Sequence, residues 1–258
     1  MQLAEDLAFE TMSFLPAVVF LDGEYWGLYY LTEKYSDNFL HQYYGVEEED
    51  IVIIKNGQIN AGKAEDLDAF NQDRDLIASD ELSVEESWML FCEKFDVESY
   101  IDYYAFQTWI GRNNDWPGSN YAVWKVSAHP QYGKWRWMLF DVNSGGMRDY
   151  EFDSFSYLTE KDKMFAKLIR YPEFRKRYLD RVNELGNVTF APDRVIPLIE
   201  EIAEKNRPQM RLFYDRFYVG IYTEENYEAE IAGLKEFFPR RYSYLAELER
   251  KWFPGDVK

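Results

Sequence analysis

The sequence predicts an α+β fold, with a small β-rich part at the start of the chain and a larger, mostly helical part after it. Near the start, runs of Val, Phe, Tyr and Leu flank a single Asp-Gly turn, as in a β-hairpin. From about residue 160 onward, the apolar residues follow the spacing of amphipathic helices. Between these parts, a helical segment leads through a polar loop into a second pair of strand-like runs.

The first part contains three predicted strands. The segment AVVFLDGEYWGLYYLTEK (17–34) places Asp22-Gly23 between two apolar runs, which is the strongest short-range signal for a hairpin. A third strand, DIVIIKNG (50–57), ends in a turn with Lys55 near its end. The polar, acidic segment 62–80 is predicted to be helical or partly loop. We therefore predict a β-rich N-terminal unit over residues 1–80.

The second predicted unit, residues 81–258, begins with a helix. From Ser83 the apolar period changes to that of one helix face: Ile101, Tyr104, Ala105 and Trp109. Asp96 is a suitable N-cap, and Gly111 lies where a helix of this length needs a C-terminal cap. The predicted helix is therefore followed directly by the loop GRNNDWPGSN (111–120).

After this loop, NYAVWKV and KWRWMLF are predicted to be paired strands joined by SAHPQYG. Helical patterns follow to the end of the chain, and we expect the last helix to be interrupted by Pro239. The chain has no run of about 18 apolar residues, so we expect no membrane span, and its acidic start does not predict an export signal.

The composition limits the possible chemistry and partners. Asp and Glu outnumber Lys and Arg by 47 to 29, which gives a net charge of −18 and argues against a nucleic-acid partner. A cationic peptide, or an anion accompanied by Mg²⁺, would be accepted more readily. One cysteine, Cys92, excludes an internal disulfide, and two histidines are too few for most zinc sites. Carboxylates, Lys, Tyr or a hard metal ion must therefore carry any catalysis.

The loop after the helix holds an Asp and an Asn whose side chains are suited to catalysis or metal binding. Asp115 and Asn120 have the spacing D-x-x-x-x-N, which is either an ordinary set of turn formers or the catalytic loop of a phosphoryl-transfer enzyme. Asp141 ends the second apolar run and is followed by a Gly-containing turn. Because the ends of an antiparallel hairpin meet, Asn120 and Asp141 are expected to be neighbours. The pattern is compatible with a metal site facing Asp115, but by itself it is more typical of a solvated loop.

Six segments in order resemble the blocks of the CotH (spore coat protein H) kinase family: VFLDGEYWGLYYLTEK, the Lys of IIKNG, SYIDYYAFQTWIGRNNDW, NYAVWKV, GKWRWMLFDVNSGG and PEFRKRYLDRVNEL. The resemblance covers nearly the whole chain. It implies a two-lobed protein-kinase-like fold and transfer of the γ-phosphoryl group of ATP, with Mg²⁺ or Mn²⁺, to Ser or Thr hydroxyls of a protein. It also implies a bacterial protein that is either exported or associated with a spore coat, and the sequence leaves the compartment open.

The resemblance, together with the spacing, assigns the following roles. Asp115 would orient or deprotonate the acceptor hydroxyl, and Asn120 and Asp141 would hold the metal ion. The nucleotide-binding residues would be Lys55, Glu33, Tyr29 and Trp135. Lys55 would contact the phosphates, oriented by Glu33, or would be a solvated residue at a strand edge. Tyr29 and Trp135 would stack on adenine, or would belong to the core. Arg112 fits an ion pair or a phosphate contact equally well.

The sequence leaves two other functions open. Asn143 stands where the family commonly has a second acidic residue, and Asn113 and Asn114 replace the His and Arg that precede the Asp of a kinase catalytic loop. A catalytically silent kinase-like scaffold is therefore the first alternative. A carbohydrate-active protein is the second, because aromatic and acidic residues also suit sugars. For a kinase, the net charge predicts an acceptor Ser in a Lys/Arg-rich segment.

Overall fold

The structure, a computed structural model, describes residues 2–142 and 145–255. Small antiparallel sheets and a majority of helix confirm the predicted α+β fold. No helix within the described ranges is long and apolar enough to cross a membrane.

The predicted first hairpin is confirmed. Strand β1 (Phe14–Leu21) pairs antiparallel with β2 (Glu24–Thr32) as a separate two-stranded sheet. Asp22 and Gly23 both have positive φ, 51° and 84°, as a two-residue type I′ turn requires. The turn residues thus set the register that the Asp-Gly pair predicts.

A second sheet has four antiparallel strands in the order β4-β3-β5-β6. Its strands are β3 (Ile51–Lys55), β4 (Gln58–Ala61), β5 (Ala122–Val126) and β6 (Arg136–Met138). The predicted strand near 50–57 and the predicted hairpin after the polar loop are both present. This sheet combines strands from both sides of residue 80, so the division of the chain at that residue stays a prediction.

Nine helices lie in the described part of the chain: α1 (Asp37–Tyr44), α2 (Ala64–Ala78), α3 (Val84–Lys94), α4 (Val97–Trp109), α5 (Ser154–Lys161), α6 (Lys163–Leu168), α7 (Pro172–Asn187), α8 (Pro192–Phe217) and α9 (Glu224–Trp252). The expected interruption at Pro239 is wrong, because α9 continues through that residue. Proline removes one helix hydrogen bond, but Phe237, Phe238 and Arg241 beside it are buried and hold the helix against the core.

Helix α4 is the central support of the molecule. The side chain of Asp96 accepts a hydrogen bond from the Ser99 backbone N–H at 2.9 Å, which confirms the predicted N-cap. Gly111 follows the helix with φ of 65°, a left-handed conformation that ends helices. Every residue from 99 to 109 is buried, because α4 packs against both α7 and β6. The loop that follows α4 therefore starts from a fixed point.

The two faces of the four-stranded sheet bury different layers. Val52 and Ile54 face the larger core around α4, whereas Ile51 and Ile53 face a smaller core with α1. Side chains alternate along a strand, so Lys55 lies on the same face as Ile51 and Ile53. Lys55 is thereby directed toward the α1 side at the end of the sheet.

Candidate active site

The loop between α4 and β5 brings Asp115 and Asn120 into direct contact. The Asn120 Nδ2 atom donates a hydrogen bond to Asp115 Oδ2 at 2.5 Å. The Ser119 backbone N–H also donates to the Asp115 carbonyl oxygen at 2.8 Å. Asn120 has φ of 52°, in the left-handed region that Asn tolerates better than most residues. The loop is thus folded back on itself so that the carboxylate and the amide meet.

Arg112 lies beneath this pair. Its side chain is buried, and Nη2 donates to Asp115 Oδ1 at 3.1 Å. The sequence fits either an ion pair or a phosphate contact for this residue, and the structure has the ion pair. The Nε and Nη1 atoms of Arg112 are buried and have no hydrogen-bond partner within residues 2–142 and 145–255. Asp115 itself is partly exposed, with 32% of its side-chain surface accessible, so it can meet a ligand while it is held from below.

Asp141 lies at the open end of the hairpin formed by β5 and β6. Ala122 pairs with Met138, so Asn120 and Asp141 leave the hairpin at the same end. Asp141 has φ of 47°, a second left-handed residue that is not glycine. Such conformations cost about 1 to 3 kcal/mol each and often occur at functional sites. Both of the predicted metal ligands share this feature.

Lys55 lies close to Asp141. Its Nζ atom is 3.9 Å from the centroid of the Phe140 ring, the residue before Asp141. Burial lowers the pKa of the Lys55 ammonium, the neighbouring charge of Lys34 lowers it further, and Asp141 opposes both effects. An incoming anion would relieve the repulsion between the two lysines.

No role was predicted for Lys34, whose charge lies close enough to Lys55 to lower the pKa of that ammonium. The next residue, Tyr35, explains its position. The Tyr35 hydroxyl donates to the carbonyl oxygen of Leu139 at 2.9 Å and so ties the end of the first hairpin to the segment that leads to Asp141. The available signal was the location of Lys34 two residues after the end of β2, in the segment that Tyr35 ties to Leu139.

The expected partnership between Glu33 and Lys55 is not formed. The two carboxylate oxygens of Glu33 accept hydrogen bonds from the Tyr43 hydroxyl and from the Ser13 backbone N–H, each at 2.7 Å. These bonds, that of Tyr43 first, lower the pKa of Glu33. Glu33 therefore fastens the base of the first hairpin, and Lys55 has no carboxylate within ion-pair distance in the described ranges.

The two aromatic residues expected at the adenine ring lie in different environments. Trp135 is 1% exposed; its ring packs edge to face against Phe70 and lies under the Lys125 ammonium. Its burial leaves no open face for a base, so the core interpretation holds for Trp135. Tyr29 is 46% exposed on β2 and has an accessible ring.

The segment after Asp141 packs against the Asp115 loop. Asn143 lies outside the described residues, but Gly145 accepts a hydrogen bond from the Asn113 backbone N–H at 2.8 Å. Gly145 has φ of 72°, and a Cβ atom added there would lie 2.4 Å from the Cβ and 2.8 Å from the backbone nitrogen of Asn114. Only glycine permits this approach, which joins the two loops that carry Asp115 and Asp141.

Replacing Gly145 by alanine is expected to separate these loops. Strain at the left-handed backbone alone should cost about 1 to 3 kcal/mol, and the overlap with Asn114 adds to it. Thermal unfolding and Mg²⁺-ATP binding would both be measured. Gly233→Ala, in α9 with open space around its Cβ, is the control and should lose nothing. Equal unfolding temperatures and affinities for Gly145→Ala and the wild type would contradict this account.

The donor atoms at this site suit a hard cation. Asn120 uses its amide nitrogen toward Asp115, which leaves its amide oxygen for other contacts, and Asp141 supplies a carboxylate. No group of three His, Cys, Asp or Glu side chains in the described ranges could hold a metal ion by itself. Mg²⁺ is commonly held by one or two protein oxygens together with phosphate oxygens, so these residues fit an ion that arrives with a nucleotide.

A pocket of about 440 Å³ lies elsewhere, between α4 and α7. None of the candidate site residues described above lines it. Its floor is formed by ion pairs, including Arg181 with Asp102 at 2.6 Å. These pairs connect two helices of the core, so we assign the pocket to packing and not to the site.

Comparison with known proteins identifies the family of the chain. The family model described as CotH kinase protein matches residues 1–245 of the 258 residues. No sequence among the curated proteins matches the chain. The matched range includes Lys55, Asp115, Asn120 and Asp141. The chain belongs to the CotH kinase family.

Proposed function

We propose that this protein is a Mg²⁺-dependent kinase that transfers the γ-phosphoryl group of ATP to Ser or Thr hydroxyls of a protein. The observation that carries the proposal is the contact between Asp115 and Asn120 at the open end of the hairpin that bears Asp141. Membership of the CotH kinase family supports a kinase-like function. The family name also suggests a spore coat, and we include such an association in the proposal.

Each residue has a role that matches its surroundings. Asp115, partly exposed and held from below by Arg112, would accept or orient the hydroxyl proton of the acceptor. Lys55, with Lys34 nearby, would contact the phosphates. Asn120 and Asp141 would hold Mg²⁺ or Mn²⁺, which neutralises charge on the phosphate oxygens when it is bound.

A catalytically silent scaffold is the second candidate. The observation that favours it is the missing partner of Lys55, because Glu33 is held by Tyr43 and Ser13. In protein kinases, an ion pair between the corresponding Lys and a Glu accompanies the active state. Binding of ATP without turnover would support this candidate.

The proposal is tested by incubating the protein with γ-labelled ATP and Mg²⁺ or Mn²⁺ and measuring autophosphorylation and transfer to a Ser peptide. Label should enter protein or peptide only when a divalent ion is present. Asp115→Asn, which removes the proposed proton acceptor, is the negative control. Binding of ATP with no incorporation under either metal would overturn the kinase proposal in favour of the scaffold.

We also expect a preference for Ser in a Lys/Arg-rich peptide over Ser flanked by Asp or Glu. The net charge of −18 attracts cationic segments and repels anionic ones, especially at a site that already holds a triphosphate. Phosphate incorporation into one basic and one acidic Ser peptide would be compared at low and high ionic strength. The preference should weaken with salt, because the screening length falls to about 3 Å at 1 M. Equal rates at low salt would point to a small-molecule acceptor.

A further inference from the structure

Tyr157 of α5 holds the backbone on both sides of Asp115. Its hydroxyl lies 3.0 Å from the carbonyl oxygen of Asn114 and 2.7 Å from that of Trp116, and it donates its proton between them. These are the two carbonyl groups that flank Asp115 in sequence. Burial raises the pKa of the Tyr157 hydroxyl, and the nearby charge of Asp115 contributes to the rise, so the group stays a donor at neutral pH.

Arg112 holds the same residue by its side chain. The guanidinium group is buried, and Asp115 is the carboxylate that it contacts in the described part of the chain. Its Nε and Nη1 atoms find no partner among the residues that the structure describes, although a buried guanidinium group is ordinarily surrounded by acceptors. The attraction is therefore concentrated on one carboxylate, in surroundings that screen it less than water does.

We propose that Tyr157 and Arg112 are positioning residues that together fix the Asp115 carboxylate for the acceptor hydroxyl. This inference rests on the proposed function. Tyr157 fixes the backbone on either side of Asp115, and Arg112 fixes one carboxylate oxygen, Oδ1. The other oxygen, Oδ2, is left to Asn120 and to the acceptor. Neither residue touches the substrate; both act through Asp115.

The alternative is that Tyr157 only stabilises the loop. A positioning role predicts a change in turnover with little change in nucleotide binding, because Asp115 acts on the acceptor and not on ATP. A small displacement of a reacting group is enough to reduce the rate, since the reaction depends on near-attack geometry. A purely stabilising role predicts an altered unfolding temperature and an unchanged kcat for the folded fraction.

The first test compares Tyr157→Phe with Tyr227→Phe. Tyr227 is a matched control, because it is also half-buried and its hydroxyl also donates to a backbone carbonyl, that of Ala203 in α8. We expect Tyr157→Phe to lower kcat by about 10-fold with KM for ATP unchanged within about twofold, the pattern of an interaction made in the transition state. Tyr227→Phe should leave both constants unchanged. Equal kcat in Tyr157→Phe and the wild type would overturn the inference.

The second test repeats Tyr157→Phe in an Asp115→Asn background. If Tyr157 acts through Asp115, its removal should have no further effect on the residual rate, since effects on one shared group are not additive. Arg112→Met should show the same dependence, and Arg112→Lys, which keeps the charge, should recover part of the loss. Full additivity of the Tyr157 and Asp115 effects would mean that Tyr157 does not act through Asp115.

The effect of Tyr157 on the loop around Asp115 can also be measured without turnover. This measurement distinguishes a failure of the positioning inference from a failure of the proposed function. Hydrogen exchange of the backbone amides in residues 112–119 should accelerate by about 10-fold in Tyr157→Phe, because local opening becomes easier, and remain unchanged in Tyr227→Phe. A wild-type protein that transfers no phosphate would reject the kinase proposal alone. Unchanged hydrogen exchange of these amides in Tyr157→Phe would reject the positioning role of Tyr157, whether or not the wild type is active.

Discussion

Replacing Asp141 by alanine is expected to abolish metal-dependent binding of ATP. Asp141 is the charged member of the proposed metal-binding pair, and Asn120 supplies only a neutral amide oxygen. Without Asp141, a triphosphate would approach a protein with a net charge of −18 and no anchored divalent ion. Calorimetry with ATP and Mg²⁺ would measure the loss. Binding by Lys55 alone should be weak, because one ammonium cannot balance a triphosphate.

Two variants separate the charge of Asp141 from its backbone conformation. Asp141→Asn removes the charge but keeps a side chain that tolerates the left-handed φ of 47°, so it should lose binding almost as fully as Asp141→Ala. Asp22→Ala is the matched control for the backbone, since Asp22 has a similar φ of 51° in the exposed turn between β1 and β2. It should bind normally. Unchanged affinity in both Asp141 variants would mean that the metal lies elsewhere.

Local rules were sufficient to predict several elements of the fold. Asp22-Gly23, Asp96 and Gly111 act through their own backbone and a few neighbouring groups, so their turn and caps follow from sequence alone. Strand β4 was missed although Asn56-Gly57 carries the same turn signal, with φ of 52° and 69°, because its alternation of polar and apolar residues extends over only four positions. Its pairing with β3 depends on the core beneath, which sequence spacing does not reveal.

Long-range packing determines what could not be predicted in the site. The proximity of Asn120 to the chain near Asp141 follows from hairpin geometry, which holds for any hairpin length. The partners of Glu33 and the burial of Trp135 depend on how distant segments meet, in particular Tyr43 of α1 and Phe70 of α2. Tyr157 lies 42 residues beyond Asp115 in sequence, since 157 − 115 = 42, and only the folded chain brings its hydroxyl to the loop.

Replacing Asp115 by asparagine should leave Mg²⁺-ATP binding nearly intact and lower phosphoryl transfer by about 10²-fold or more, the scale expected when a positioned acid or base is removed. Asparagine has the same shape, but its single amide oxygen can accept from Asn120 or from Arg112 and not from both, so the unfolding temperature of the variant is measured beside its affinity. What is lost is the negative charge that orients or accepts the proton of the acceptor hydroxyl. The variant should therefore keep its affinity for Mg²⁺-ATP while its rate of phosphoryl transfer falls.

The control variant for Asp115→Asn is Asp180→Asn. Asp180 is also paired with a cation on its own segment, Lys176 at 2.5 Å, but lies on an exposed face of α7. Such surface pairs contribute at most about 1 kcal/mol, so this variant should retain wild-type binding and turnover. Calorimetry gives the affinity for ATP, and single-turnover transfer of labelled phosphate gives the rate. If affinity and rate fall together in Asp115→Asn, then Asp115 is a metal ligand or a structural residue, and the proton-accepting role must be reassigned.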